Sequence, residues 1–392
     1  MPSWTRFLVF MTVGALLSTL LHYYVWARLV RDAALPLAWA RPVTAALIGF
    51  GIALPLGMAL PMSRSLPRSI GMPLAAVIYT WMGLLFLLFV GLVGGDLLRL
   101  AIGLFDRARG APVDDDRRGF LLRGIAAIVG FGALTAGGWG IFQARGPIST
   151  RRVKVALRRL PESMRGLTLA QISDLHVGPT IGRDFVADVV ARTNALRADA
   201  IVLTGDIVDG SVEKLREAIA PLADLQAPLG VFFVTGNHEY YSGADAWLAE
   251  LARMGIRPLR NERVELRRGD DAIDLAGVDD YSAHGFGGDH GPDLPRALAG
   301  RDATRALVLL AHQPRAFPEA ARLGVGLQLS GHTHGGQIWP WSWLVKLQQP
   351  YVAGLHRLGE AQIYVSCGTG YWGPPMRVGA PPEITQLTLE PA

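Results

Sequence analysis

Cysteine is almost missing from this sequence. One residue, Cys367, stands among 392. No internal disulfide can form, and a thiolate zinc site or an iron–sulfur cluster is excluded for want of ligands. A lone cysteine leaves the redox compartment open. It reads as a small packed residue, since nothing beside it in sequence would activate it as a nucleophile. Charge is missing too, but only locally. The stretches Phe7–Ala27, Pro42–Ser63, Ser69–Gly95 and Gly124–Ala144 carry none. Each comes close to the roughly 20 apolar residues that cross a bilayer core as a helix. The first is expected to be a span rather than a cleaved signal peptide, because three more spans follow it. Residues 1–145 therefore read as a transmembrane region of about four helices. None of the four runs carries an internal charge that would mark a transport path.

What is present is apolar mass and arginine. Half of the residues, 50%, are hydrophobic, and the excess sits in the first third. The net charge is +5 and the isoelectric point about 9.5. Much of that charge is arginine flanking the spans, where it sets topology or meets lipid headgroups, so no nucleic-acid partner is expected. Four spans place both ends of the region on one side. The loop between the third and fourth holds Arg99, Arg107, Arg109, Arg117, Arg118 and Arg123, against Arg64 and Arg68 before it and Arg145 after it. By the positive-inside rule that loop is cytoplasmic. The expectation is a multi-pass protein of a bacterial inner membrane with its C-terminal part outside the cytoplasm. The run "DRRGFLLRGIAAIVGFGALTAGG" agrees, resembling a twin-arginine export signal. Arg151, Arg152, Lys154, Arg158 and Arg159 point the other way, but "RRVKVALRRLP" alternates like a strand of the next domain.

From Arg145 the pattern changes to short apolar runs, each ending in a polar cluster. "LTLAQI" leads to Asp174 and His176, "DAIVLT" to Asp206, and "GVFFVT" to Asn237, His238 and Glu239. "AIDLAGV" leads to Asp279 and Asp280, "ALVLLA" to His312, and "VGLQLS" to His332 and His334. Continuous runs of this length read as strands buried on both faces. Helix-like spacing appears between them at 183–196, 212–225 and 244–254. The fold class is α/β, a layered sheet, and ligands in such sheets bind at the carboxyl ends of strands. The polar clusters therefore converge on one edge.

All the donors there are oxygen or imidazole nitrogen. Asp174, His176, Asp206, Asn237, His238, His312, His332 and His334 are too many for one ion and suit two, bridged by a carboxylate. Such a pair, about 3.5–4 Å apart, is the clamp used in phosphoryl hydrolysis. Asp174 and His176 are two apart, as are His332 and His334, so each pair points to one side of an extended chain. The glycines flanking the last pair let backbone approach closely.

The set "DLH", "GDIVD", "GNHE", "AHQP" and "GHTHGG" in this order resembles the calcineurin-like metallophosphoesterases, from Val153 to about Leu389. The tail "SCGTGYWGPPMRVGAPPEITQLTL" is similar to the bacterial membrane-associated branch. The resemblance implies a four-layer αββα sandwich over residues 150–392. It implies one metal on Asp174, His176 and His334, a second on Asn237, His312 and His332, and Asp206 bridging both. It implies attack by a metal-bound hydroxide on a phosphate ester, most often a diester, with His238 as general acid and Asp209, the second aspartate of "GDIVD", supporting the ligands from behind. The metals would be manganese, iron, zinc or nickel. Two alternatives stand beside this. One is pyrophosphate cleavage in a nucleotide-linked lipid intermediate. The other is a sensor that binds a phosphorylated ligand without turnover, against which the retention of His238 speaks.

Other residues carry less. Asp279 and Asp280 have no ligand role in the family. His284 and His290 lie in a glycine-rich loop, His356 reads as surface, and His22 as an interfacial residue of the first span. Trp339, Trp341, Trp343 and Trp372 either pack the sheet edge or rest at the membrane interface, where a lipid-linked phosphate would be the fitting substrate. Oligomeric state cannot be read.

Overall fold

The structure is a computed structural model that describes residues 3–59, 67–110 and 115–392. The end of the second expected span, residues 60–63, and Arg64 lie outside the described residues. The chain divides into two compact units, Met1–Phe142 with Gly373–Met376, and Gln143–Trp372 with Arg377–Ala392.

In the first unit each apolar run is a helix: Ser3–Trp26, Leu37–Ala59, Arg68–Ala108 and Asp115–Arg145. Among the described residues, four helices are long and apolar enough to cross a membrane. The third has 41 residues. At ~1.5 Å per residue that is about twice the ~30 Å of a hydrocarbon core. After Arg68 its next charge comes only where the apolar run stops, at Asp96, which accepts from Tyr24 (2.8 Å) and Arg28 (2.9 Å). Helices three and four meet through glycines: a Cβ on Gly91 would lie 2.8 Å from Val129, and one on Gly95 would strike Ile125. Small residues at such contacts let helix backbones approach, which is what holds helices together where water offers no hydrophobic drive. His22 is buried among the helices. Its Nδ1 lies 2.7 Å from the Ser18 carbonyl and its Nε2 accepts from Trp81 Nε1 at 2.8 Å.

The second unit is built on two sheets. Its strands are β1 (Ser149–Leu157), β2 (Leu167–Ile172), β3 (Ala200–Leu203), β4 (Val231–Phe233), β5 (Arg257–Pro258), β6 (Glu262–Arg268), β7 (Asp271–Gly277), β8 (Leu307–Leu310), β9 (Leu327–Ser330), β10 (Gly354–Leu358), β11 (Ala361–Val365) and β12 (Glu383–Pro391). One sheet has the order β1-β12-β2-β3-β4-β5 and the other β10-β11-β9-β8-β7-β6. The six apolar runs thus split three and three: β2, β3 and β4 run parallel in one sheet, β7, β8 and β9 parallel in the other.

Alternation within each run explains the layers. Ala200 and Val202 turn inward against Val308, Leu310, Leu327 and Leu329 of the facing sheet. Ile201 and Leu203 turn outward onto Val186, Val189, Leu215, Trp247 and Leu251 of the helices Arg183–Ala195, Val212–Ile219 and Ala244–Arg253. On the far side Leu307 and Leu309 meet Leu294, Ala297 and Ala320 from shorter helices. The result is helix, sheet, sheet, helix. Both faces of every central strand are dry, which is why the runs read as continuous rather than alternating. The helix expected over 212–225 is α-helical only to Ile219 and continues as a tighter turn over Ala220–Asp224. Pro221 lacks the N–H that an α-helical ladder needs there.

Candidate metal centre

Three strand ends from each sheet meet at one edge, and direct bonds join them. Gln171 Nε2 donates to the Ser330 carbonyl (3.0 Å), His312 Nδ1 to the Thr204 carbonyl (2.7 Å), and the His332 backbone N–H to Asp174 Oδ1 (2.9 Å). β2, β3 and β9 turn sharply where they deliver their polar clusters. Asp174 (φ 55°), His176 (51°), Asp206 (54°), His332 (72°) and His334 (51°) all sit in the left-handed region. Such a conformation costs on the order of 1–3 kcal/mol per non-glycine residue and persists where the surroundings enforce it. Here backbone bonds do so: Asp174 N–H to the Gly205 carbonyl (3.0 Å), His176 N–H to the Asp206 carbonyl (3.1 Å) and Gly331 N–H to the His312 carbonyl (2.9 Å). The glycines serve close approach. A Cβ on Gly331 would strike the Ser173 hydroxyl and the Asp174 carboxylate, and one on Gly236 the Asp206 carboxylate.

The side chains gather into overlapping groups. Asp174, His176 and His334 place ligand atoms within 4.8 Å of one another, and so do Asp206, His312 and His332; a third group, His176, Asp206 and His238, overlaps both sets. Asp206 lies 3.0 Å from His312 Nε2 and 3.8 Å from His176 Nε2. Asn237 stands at the same edge, and its Oδ1 is buried with no hydrogen-bond partner.

The donor set fits cations. His176 Nε2 faces His334 Nε2 at 3.0 Å, and His332 Nδ1 faces His312 Nε2 at 3.3 Å. His176 and His312 use Nδ1 on Asp209 and on the Thr204 carbonyl, so their Nε2 lone pairs point inward. Lone pairs, carboxylates and an unpaired amide oxygen converge with few protons between them, an arrangement stable only around positive charge. Burial pushes His332 down to about 3 and His334 well below the usual imidazole range, with His312 and Arg377 respectively adding to the effect. Both are therefore neutral, as ligands must be. Burial works against protonation of His312 as well, but Asp206 and Asp174 overcome it and raise its pKa well above normal. A proton there does what a cation would do.

His238 is arranged differently. Its Nδ1 lies 2.6 Å from Asp209 Oδ1, the same oxygen that holds His176 Nδ1 at 2.9 Å. Burial lowers its pKa, but Asp206 and Asp209 outweigh that and raise it to about 9. Its ring packs edge-on against Tyr241 (5.2 Å) and Trp372 (5.6 Å), which are 63% and 55% exposed. A protonated imidazole thus stands at the mouth of the site between two aromatic walls.

Three residues to which the sequence assigned no role contribute to the site. Glu239 is fully buried and accepts from the N–H groups of Asp206 (2.9 Å), Ile207 (2.7 Å) and Gly236 (2.6 Å), binding two ligand turns to each other. Its signal was the capping-box spacing from Gly236 to Glu239. Arg377, fully buried, donates to the carbonyls of Cys367 (2.6 Å) and His334 (3.0 Å) and lies 3.1 Å from His334 Nδ1. Burial lowers it to about 10, still a cation at neutral pH. Tyr241 is the third, and no pattern marked it. Asp279 is taken up by Arg260 (2.6 Å) and Asp280 by Gln313 (3.0 Å). His284 and His290 line a separate cavity of about 410 Å³ with Asn261 and Tyr281. Burial pushes the Cys367 thiol up to about 11, which keeps it inert.

The family model described as calcineurin-like phosphoesterase matches residues 167–336. This span runs from β2 through the His334 turn and contains every candidate ligand. An uncharacterized metallophosphoesterase of Aquifex aeolicus is 35% identical over 245 residues, 62% of this chain and 92% of that one. YkuE of Bacillus subtilis, also an uncharacterized metallophosphoesterase, is 32% identical over 285 residues, 70% and 97% of the two chains. The chain belongs to the calcineurin-like metallophosphoesterases, a family of phosphoester hydrolases. It also resembles a bovine transmembrane protein with metallophosphoesterase domain, at 45% identity over 266 residues, 64% of this chain. It spans about 60% of the length of that relative and of its zebrafish counterpart.

Proposed function

We propose that this chain is a membrane-anchored, dinuclear-metal phosphohydrolase whose substrates are phosphodiesters. The observation that carries the reading is the shared carboxylate: Asp206 lies between two donor sets at the meeting edge of two sheets. Asp174, His176 and His334 would hold one divalent cation, Asn237, His312 and His332 the other, and Asp206 both. Bound there, the cations would supply a water acidified toward neutral pH and charge neutralisation on the phosphate.

The chain's own residues do the rest. Asp209 fixes His176 and His238 through one oxygen. His238, its Nδ1–H engaged, is left with Nε2–H to bind a phosphate oxygen and to protonate the departing alkoxide. The alcohol of the cleaved ester departs as an alkoxide that needs that proton, and the open rim at Tyr241 and Trp372 leaves room for the second substituent of a diester. The same aromatic pair favours a second reading, pyrophosphate cleavage in a nucleotide-linked lipid, where a planar base would stack. A sensor without turnover would have no use for an acid held at the mouth of the site. Manganese, iron, zinc and nickel all suit the nitrogen and oxygen donors. The arginine-rich third loop supports a bacterial inner membrane with the domain outside the cytoplasm.

The test uses the full chain in detergent, stripped of metal and given manganese. It should cleave a chromogenic phosphodiester faster than the matching monoester, and His238→Ala should slow diester turnover by ~10²–10⁴-fold. A monoester preference would overturn the diester assignment. Undiminished diester turnover in the variant would remove His238 as the acid.

A further inference from the structure

One surface of the phosphoesterase domain has no part in that chemistry. After the ligand turn the chain continues as "IWPWSWLVKLQQP" from Ile338 to Pro350. Its short helix, Trp341–Val345, buries none of its residues. Trp339 is 56% exposed, Trp343 65%, Leu344 51% and Leu347 84%, with Trp341 at 48%. Large apolar side chains scattered singly over a surface need no explanation, but a contiguous patch marks something it binds. These fall within one short segment, and the rings of Trp339 and Trp343 stand 6.2 Å apart, edge to face.

The segment is held in place. The Trp339 N–H donates to the Val378 carbonyl (2.9 Å), and the buried Gln349 side chain bonds Gln313 (3.2 Å) and the Arg315 N–H (3.2 Å). The indoles are therefore presented by a fixed loop. Chemistry selects the occupant. The segment contains tryptophan, leucine and a single charge, the exposed Lys346, with no acidic residue. Indoles and leucines beside a cation are the composition of segments that lie in the headgroup layer of a bilayer, where the indole N–H stays wet and anionic lipid meets the lysine. Lipid is also at hand by covalent connection: the last apolar helix ends at Arg145 and the first strand of the domain begins at Ser149.

We propose that Trp339–Leu347 is a lipid-docking surface that seats its indoles in the interface of the membrane. Docking would also orient the site. Gln337 accepts from the Trp372 N–H (3.0 Å) and donates to the Trp372 carbonyl (2.8 Å), which ties this loop to the aromatic wall beside His238. The mouth of the site would then open at the lipid surface. The docking argument stands whichever ester is cleaved.

The test reads depth, not turnover. The full chain carries Cys367→Ser, and single cysteines are placed at Trp343→Cys, at Leu347→Cys and, as a water-exposed reference outside the patch, at Glu360→Cys. Each is nitroxide-labelled and reconstituted into phosphatidylcholine–phosphatidylglycerol vesicles. At 343 and 347 the ratio of collisions with oxygen to collisions with a water-soluble nickel chelate should exceed that at 360 several-fold. Equal ratios at all three sites would overturn the proposal. So would protection of 343 and 347 from both reagents, which would mean that protein, such as a second copy, covers the patch.

Discussion

Asp209 is where a small perturbation should have two separable effects. One of its carboxylate oxygens serves two imidazoles, His176 Nδ1 at 2.9 Å and His238 Nδ1 at 2.6 Å. Each is a charge-assisted bond of about 1.5–3 kcal/mol. Asp209→Ala removes both. His176 would then be free to rotate or change tautomer, and loss of such a supporting carboxylate lowers metal affinity by about 10–100-fold. Asp209→Asn keeps an acceptor and removes the charge, so metal affinity should fall less. The charge also matters to His238. Its pKa stands at about 9 because Asp206 and Asp209 together outweigh burial. An acid works only while protonated, so activity is lost as pH rises through that pKa. Without the Asp209 charge the pKa falls, and the basic limb of the rate profile must move to lower pH. Cations bound beside Asp206 pull the limb down in both proteins, so the comparison is between the two profiles. Calorimetric titration of the demetallated full chain with manganese reads the first effect, and kcat for a diester from pH 6 to 10 (a range spanning the ordinary imidazole value and the raised one) reads the second. Unchanged metal affinity in the alanine variant, or an unshifted limb in the asparagine variant, would refute the role given to Asp209.

Other expectations follow from the same geometry. Asp206→Ala removes the carboxylate that lies between the donor sets, and metal analysis should find fewer than two ions bound with diester cleavage lost; two retained ions would show that Asp206 is no bridge. Gly331→Ala drives a Cβ into Ser173 and Asp174, and overpacking of this kind costs ~1–3 kcal/mol, so its melting temperature and manganese affinity should both drop; unchanged values would show that the contact yields without cost. In spheroplasts of cells making the Cys367→Ser, Glu360→Cys chain, a membrane-impermeant maleimide should label residue 360 if the domain lies outside the cytoplasm; labelling only after lysis would place it inside.

Much of this protein was legible before any coordinates. Four uncharged runs gave four helices, because backbone polar groups in a bilayer must be satisfied within the segment itself and only length and apolarity then matter. The six apolar runs became strands and their polar ends met, because parallel strands buried on both faces carry their polar groups to their carboxyl ends. The ligand candidates were recognisable as residue types at strand ends. What the sequence could not settle was pairing in space. Nothing in the runs said that β2, β3 and β4 belong to one sheet and β7, β8 and β9 to another, since that is decided by which side chains fill the space between layers. Nor did it mark the left-handed turns at Asp174, His176, Asp206, His332 and His334. Those conformations are unfavourable locally and exist only because distant backbone groups bind them. Arg377 makes the same point: the tail that contains it gives no sign of its role, yet it reaches back across 43 residues to His334. The sequence by itself determined which atoms can bind metal and which segments are apolar enough to span a membrane, because these are properties of composition and spacing. Only the tertiary structure decided which lone pairs face each other, which histidine is left to donate a proton, and which tryptophans remain in contact with water, because each of these depends on contacts between residues far apart in the chain.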